Sequence, residues 1–139
     1  MRNRNSSSDL AVWTRVVCAA VLIWVVLPFV KLPRLLNWIE SRQRHAALPE
    51  AELQQWVDTV VKVVKLRYFV IRSNCLKKSL LMYYFLLRFG VKNATIHIGV
   101  CKTNVKLEGH AWLTVDGNVF LDTEEFVEKY KVIYASGVN

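Results

Sequence analysis

Residues 73–90 read SNCLKKSLLMYYFLLRFG, and this stretch decides the fold. Its apolar residues suit a helix over 75–89. Ser73 or Asn74 can cap the start, and Gly90 offers a left-handed residue at the end. Immediately beyond it the hydrophobic period drops to two, in TIHIGVC (95–101), HAWLTV (110–115) and VFLD (119–122). Upstream, Pro49 stands at a first helical position with Glu50 and Glu52 behind it, where the helix dipole favours acids. Leu53, Trp56, Val57, Val60, Val61, Val64 and Tyr68 then recur at spacings of three and four. Asp58, Lys62 and Lys65 take the other side, so the segment is an amphipathic helix that packs on a core. Helices followed by antiparallel strands define an α+β class.

The bulk numbers fit one compact domain. Of 139 residues 53% are apolar, which is enough to fill a core and argues against disorder. The formal charge of +8 comes from 19 Lys and Arg against 11 acids, spread along the chain without a run of four. That balance suits an acidic peptide or a membrane surface. It carries no aromatic–basic RNA signature or zinc-finger spacing, so no nucleic acid partner is expected. Cys18, Cys75 and Cys101 form no CxxC pair. An odd count at wide spacing predicts neither a disulfide framework nor a structural metal site, and it fits a reducing cytoplasm.

Residues 1–9 are polar and expected to fray. Residues 16–30, VVCAAVLIWVVLPFV, are apolar throughout. This run of 15 falls short of the roughly 20 that a spanning helix needs. Three readings stay open: a buried or membrane-surface helix, a single span, or a signal peptide. The last lacks a small-residue cleavage site, because KLPRLL follows. Lys31, Arg34, Arg42 and Arg44 would suit an anionic surface, so membrane association through residues 10–30 is compatible with a cytoplasmic protein. The expected organisation is an apolar helical segment with a polar linker over 1–47 and the remaining domain over 48–139.

Chemistry points to Cys75, His110 and Asp122. The first turn of a helix stabilises an anion, so a thiolate at Cys75 is favoured, and Arg72, Lys77 and Lys78 add positive charge. A thiolate that opens an amide needs a partner to protonate the leaving amine. His45 lies in the linker SRQRHAALPE, leaving the strand residues His97 and His110. A three-residue loop over 116–118 would set Trp112 opposite Asp122 and make His110 a diagonal neighbour of that acid, about 7–8 Å away at the backbone. A two-residue loop would separate the pair unless a bulge restored parity. The expectation is therefore a three-residue turn. His110, Trp112, Phe120 and Asp122 would share the face toward the start of the Cys75 helix. Singly, a helix Cys, a strand His and a strand-end Asp all have ordinary structural roles. Their joint placement is what points to a triad.

The residues Ser73-Asn74-Cys75-Leu76, Ser79-Leu80, Ile98-Gly99-Val100, Gly109-His110-Ala111-Trp112 and Leu121-Asp122 form an ordered set. It resembles the transglutaminase-like cysteine leader peptidase of bacterial lasso-peptide biosynthesis, in its split single-domain form, over about residues 49–134. The resemblance implies a papain/transglutaminase-like core with the Cys at a helix N-terminus and an antiparallel sheet carrying His and Asp. It makes Cys75 the nucleophile, His110 the acid and base, and Asp122 the orienting acid, with no metal or cofactor. It also implies a ribosomal precursor peptide as substrate, and as partners a separate leader-binding protein, for which this chain leaves no room, and an ATP-dependent cyclase. Lys78 departs from the Arg frequent in that family. Ser79, one turn beyond Cys75, would support the site or bond the backbone. Cys18 and Cys101 are expected to be buried or inert, and His97 to be a strand residue near the site. The other class of function compatible with the chain is a non-catalytic, membrane-associated binding protein with the same fold.

Overall fold

The computed structural model describes residues 6–44, 48–65 and 75–137. Among these described residues five helices and four strands follow in the order α1 (Ser6–Val26), α2 (Leu32–Glu40), α3 (Glu50–Lys65), α4 (Cys75–Arg88), β1 (Ala94–Lys102), β2 (Leu107–Val115), β3 (Asn118–Phe120), α5 (Glu124–Glu128) and β4 (Lys131–Gly137). Helices packed on an antiparallel sheet are the α+β arrangement read from the sequence. His45, Tyr68, Arg72, Ser73 and Asn74 lie outside the described residues.

α4 is the centre of the molecule. Leu80, Leu81, Tyr83 and Leu87 are each at most 1% exposed, so this helix is wrapped rather than merely faced by its neighbours. Its end is a Schellman motif, with Gly90 N–H bonded to the Leu87 carbonyl at 3.1 Å and Val91 N–H to Leu86 at 3.0 Å. Gly90 has φ 76° and turns the chain directly toward β1. The core around α4 includes Val16, Ala20 and Ile23 of α1, Leu35, Leu36 and Ile39 of α2, and Val60 and Val63 of α3. Ala94, Ile96 and Leu113 complete it from the sheet. The apolar run of α1 is thus packed by one face into the same core as the strands. Among the described residues no helix is long and apolar enough to cross a membrane.

α1 reaches back to Ser6, into the segment expected to fray, and ends before Pro28. α2 was not legible as a helix. Its signals are Pro33 in the first turn and Leu35, Leu36 and Ile39 at spacings of one and three. Glu40, at its last position, is drawn inward. Tyr83 Oη donates to Glu40 Oε1 at 3.0 Å, and Ser136 Oγ donates to the same oxygen. Burial, followed by the Glu40 charge, pushes the Tyr83 phenol well above its ordinary range, so it stays a donor. This network joins α2, α4 and β4.

The sheet order is β3-β2-β1-β4, antiparallel throughout, with a register irregularity between Ile98 and Gly99 where β1 meets β4. The β2–β3 turn corrects the sequence expectation. Val115 pairs with Asn118, Thr114 with Val119 and Leu113 with Phe120, so the loop has two residues, Asp116 and Gly117. Both have positive φ, 51° and 82°. This is the Asp-Gly hairpin turn whose twist matches that of the strands. Phe120 therefore shares the face of Leu113 in the main core. Val119 shares that of Trp112, in a second cluster with Val127 and Tyr130. His110 stands on this Trp112 face of the sheet, the face away from the main core, and not with Phe120.

Replacing Tyr83 by Phe removes a donor from the Glu40 carboxylate while keeping the buried ring. The expected loss is about 1–3 kcal/mol in urea-induced unfolding. Unchanged stability would show that the network does not tie the helices to β4.

Candidate active site

Cys75 is the first residue of α4 and is half-buried, with its Sγ 3.9 Å from the Gly109 carbonyl of β2. One turn on, the buried Ser79 donates its hydroxyl to the Ala111 carbonyl at 2.9 Å. These two contacts bracket His110 and fix the height of the helix start relative to β2. The spacing of Cys75 and Ser79 is thus the helical repeat that lets one helix face meet one strand.

His110 is held on several sides. Its ring lies 5.2 Å from that of Tyr130 and 6.0 Å from that of Trp112, both stacked, and 5.1 Å from the edge-on ring of Phe126. Its Nε2 meets Asp122 Oδ2 at 3.2 Å. With Asp122 ionised, Nε2–H donates and the lone pair resides on Nδ1. The hairpin alone would not produce this pairing, since its two-residue loop has the wrong parity. Parity is restored after β3 by Leu121, whose φ of 65° is left-handed. That single residue sends Asp122 back across the strand end to His110. A left-handed backbone at a residue with a Cβ costs about 1–2 kcal/mol, so the conformation persists because its surroundings impose it.

Cys75, His110 and Asp122 line one cavity of about 360 Å³, together with Ser79, Ala111 and Leu121. The structure thus brings all three sequence-predicted residues to a single site. His97 is not on that cavity. It stacks on Trp112 at 5.5 Å and its Nε2 pairs with Thr114 Oγ1 at 2.9 Å. Burial pushes it below the ordinary histidine range, so it stays neutral where a free imidazole would be charged. Cys101 packs against the Trp112 cluster, whereas Cys18 is exposed on α1 rather than buried. Among the described residues no group of three or more His, Cys, Asp or Glu is placed to hold a metal ion.

The packing roles of three residues were not read from the sequence, although Gly99 stood in the motif. Gly99 lies directly across from His110, and a Cβ there would sit 2.9 Å from Trp112 ring atoms and from Tyr130 Cβ, so only glycine lets these rings close on the site. Phe126 and Tyr130 come with α5, whose Thr123 cap accepts from the Phe126 N–H at 3.3 Å. The signal for α5 was present as Thr123 ahead of Glu124 and Glu125.

With that geometry in hand, residues 14–135 match the family model of the transglutaminase-like superfamily. The chain belongs to the transglutaminase-like superfamily. No curated protein and no solved structure matches it significantly. The matched span takes in α1 and α2 as well as the sheet, consistent with the single core they share.

Two outcomes test this site. Leu121→Asn tolerates the left-handed backbone and should raise stability by up to about 1 kcal/mol, whereas β-branched Leu121→Val should lower it. The His110 ring resonances should shift in the Val variant alone, and identical spectra and stabilities would remove the parity role given to Leu121. For His97 the unfolded chain binds a proton near its ordinary value of 6.5, while the folded chain does so only at lower pH. Its contribution to stability is full above about 6.5 and is lost as pH falls below it. The melting temperature of His97→Gln should therefore fall less on acidification than that of the unaltered protein, and parallel profiles would contradict this.

Proposed function

We propose that this transglutaminase-like protein is a cysteine peptidase that removes the leader from a ribosomally made lasso-peptide precursor, using Cys75, His110 and Asp122. The observation that carries the reading is the His110–Asp122 hydrogen bond of 3.2 Å at the cavity shared with Cys75. Asp122 orients the imidazole through Nε2, which leaves Nδ1 available to exchange a proton with the thiol and the substrate. The Cys75 sulfur attacks the scissile carbonyl, and the tetrahedral intermediate places its oxyanion near the start of α4. There the Cys75 backbone N–H is a candidate donor. Collapse breaks the carbon–nitrogen bond as His110 protonates the leaving amine, and a thioester remains. Water then attacks the thioester, His110 accepts its proton, and the carboxylic acid product and free thiol are released.

The substrate class rests on the resemblance in the motif residues, and their positions give each a physical part in such a site. Ser79 locks α4 to β2, Trp112 backs the imidazole, and Gly99 leaves room for the packing behind it. Cleavage would free an amine for a separate ATP-dependent cyclase, with a separate leader-binding protein delivering the precursor.

Incubation with the precursor and the leader-binding protein, followed by peptide mass, tests the reading. Cys75→Ala should abolish cleavage without changing the fold, and Asp122→Asn should slow it by roughly 10³–10⁴-fold. Cys101→Ala and Cys18→Ala should still cleave. Iodoacetamide should label Cys75 rapidly near neutral pH. The labelled peptide must be mapped, because Cys18 is exposed and Cys75 is half-buried. Cleavage by Cys75→Ala would end the assignment, and a slow, unselective Cys75 would favour a non-catalytic binding role.

A further inference from the structure

α1 presents two different faces. Val16, Ala20 and Ile23 are buried at 3% exposure or less, while Leu10, Val21, Leu22 and Val25 are between 44% and 70% exposed. These four share one side of the helical repeat and form an apolar stripe on the outside of the domain, and Phe29, in the turn that follows α1, adds a ring that is 83% exposed. The hydroxyl of Thr14, within that stripe, is turned back to the Leu10 carbonyl at 2.8 Å. The stripe therefore offers a partner aliphatic surface and little hydrogen-bonding capacity.

The charges along α1 and α2 are mainly basic. From residue 6 to residue 48 there are five Lys and Arg residues, Arg15, Lys31, Arg34, Arg42 and Arg44, and two acids, Asp9 and Glu40. Glu40 is already engaged by Tyr83 and Ser136. On the flank of α1 a groove of about 490 Å³ has Arg15, Arg44 and Arg88 together with Trp56, Tyr84 and Phe89. Among the described residues no carboxylate pairs with any of the three arginines.

We infer that the outer face of α1 and its arginine-bearing flank dock the protein on the surface of an anionic lipid bilayer. The chemistry favours a bilayer over a protein partner. An exposed apolar stripe with little hydrogen-bonding capacity suits a fluid interface, and arginines with no carboxylate partner among the described residues suit phosphate headgroups. The packed inner face fixes the orientation. A helix held by Val16, Ala20 and Ile23 to the rest of the domain lies along the membrane and does not enter it end-on. This inference does not depend on the peptidase reading.

The test is sedimentation of the full chain with vesicles of phosphatidylcholine, with and without phosphatidylglycerol. Binding to the anionic vesicles is expected, with weak binding to phosphatidylcholine alone and partial release in high salt. Val25→Asp combined with Phe29→Asp, both on exposed positions, should weaken binding by about tenfold or more. Arg15→Gln and Arg44→Gln should each weaken it by about fivefold. Circular dichroism and melting confirm that the variants remain folded, and Cys75→Ala should bind like the unaltered chain, so this result and the peptidase result are read separately. Failure to bind anionic vesicles, or equal binding by the variants, would overturn the inference. So would a dimer in sedimentation velocity that the Asp pair dissociates while vesicles recruit nothing, since the stripe would then be a contact between copies.

Discussion

The hydrogen bond from Ser79 to the Ala111 carbonyl couples the helix that begins at Cys75 to the strand that carries His110. A buried hydroxyl without a partner costs roughly 1–3 kcal/mol, so the helix cannot slide along β2 without losing this contact and the packing beside it. Cys75 and His110 are then placed by elements locked to one another, not by loops. The wrapping of α4 by α1, α2, α3 and the sheet makes that lock rigid, because close-packed interiors do not deform continuously.

The second half of the site rests on a balance of small terms. Leu121 adopts a left-handed backbone at a cost of about 1–2 kcal/mol. A hydrogen bond involving a carboxylate contributes about 1.5–3 kcal/mol, enough to offset it. Tyr130, Phe126 and Trp112 restrict the imidazole further, and Gly99 makes room for them. His97 belongs to the same sheet face yet serves Thr114 and Trp112. Two strand histidines of similar sequence character thus separate by partner: one faces a carboxylate at the cavity, the other a hydroxyl and an indole.

α1 connects the interior to the outside. The residues that make its run apolar divide into a set that completes the core and a set that stays in contact with solvent. A run apolar on all sides is ambiguous from composition because burial and interface insertion favour the same side chains. The exposure of each residue in the folded chain shows which of them complete the core.

Much of the fold was legible in the sequence by itself. The Pro49 and Gly90 boundaries, the helical repeats of α3 and α4 and the change to a period of two are local, since propensity and patterning act over a few residues. Cys75, His110 and Asp122 were legible as candidates for the same reason: helix start, strand and strand end are local descriptions. The loop length was not. Asp116-Gly117 favours the two-residue turn, and arguing parity from the site led to one residue too many. What restored the His110–Asp122 pairing, a left-handed Leu121, has no signature in a residue that rarely adopts it. α2 and the roles of Gly99, Phe126 and Tyr130 likewise required the tertiary structure. Each depends on contacts between segments far apart in the chain, where packing overrides local preference.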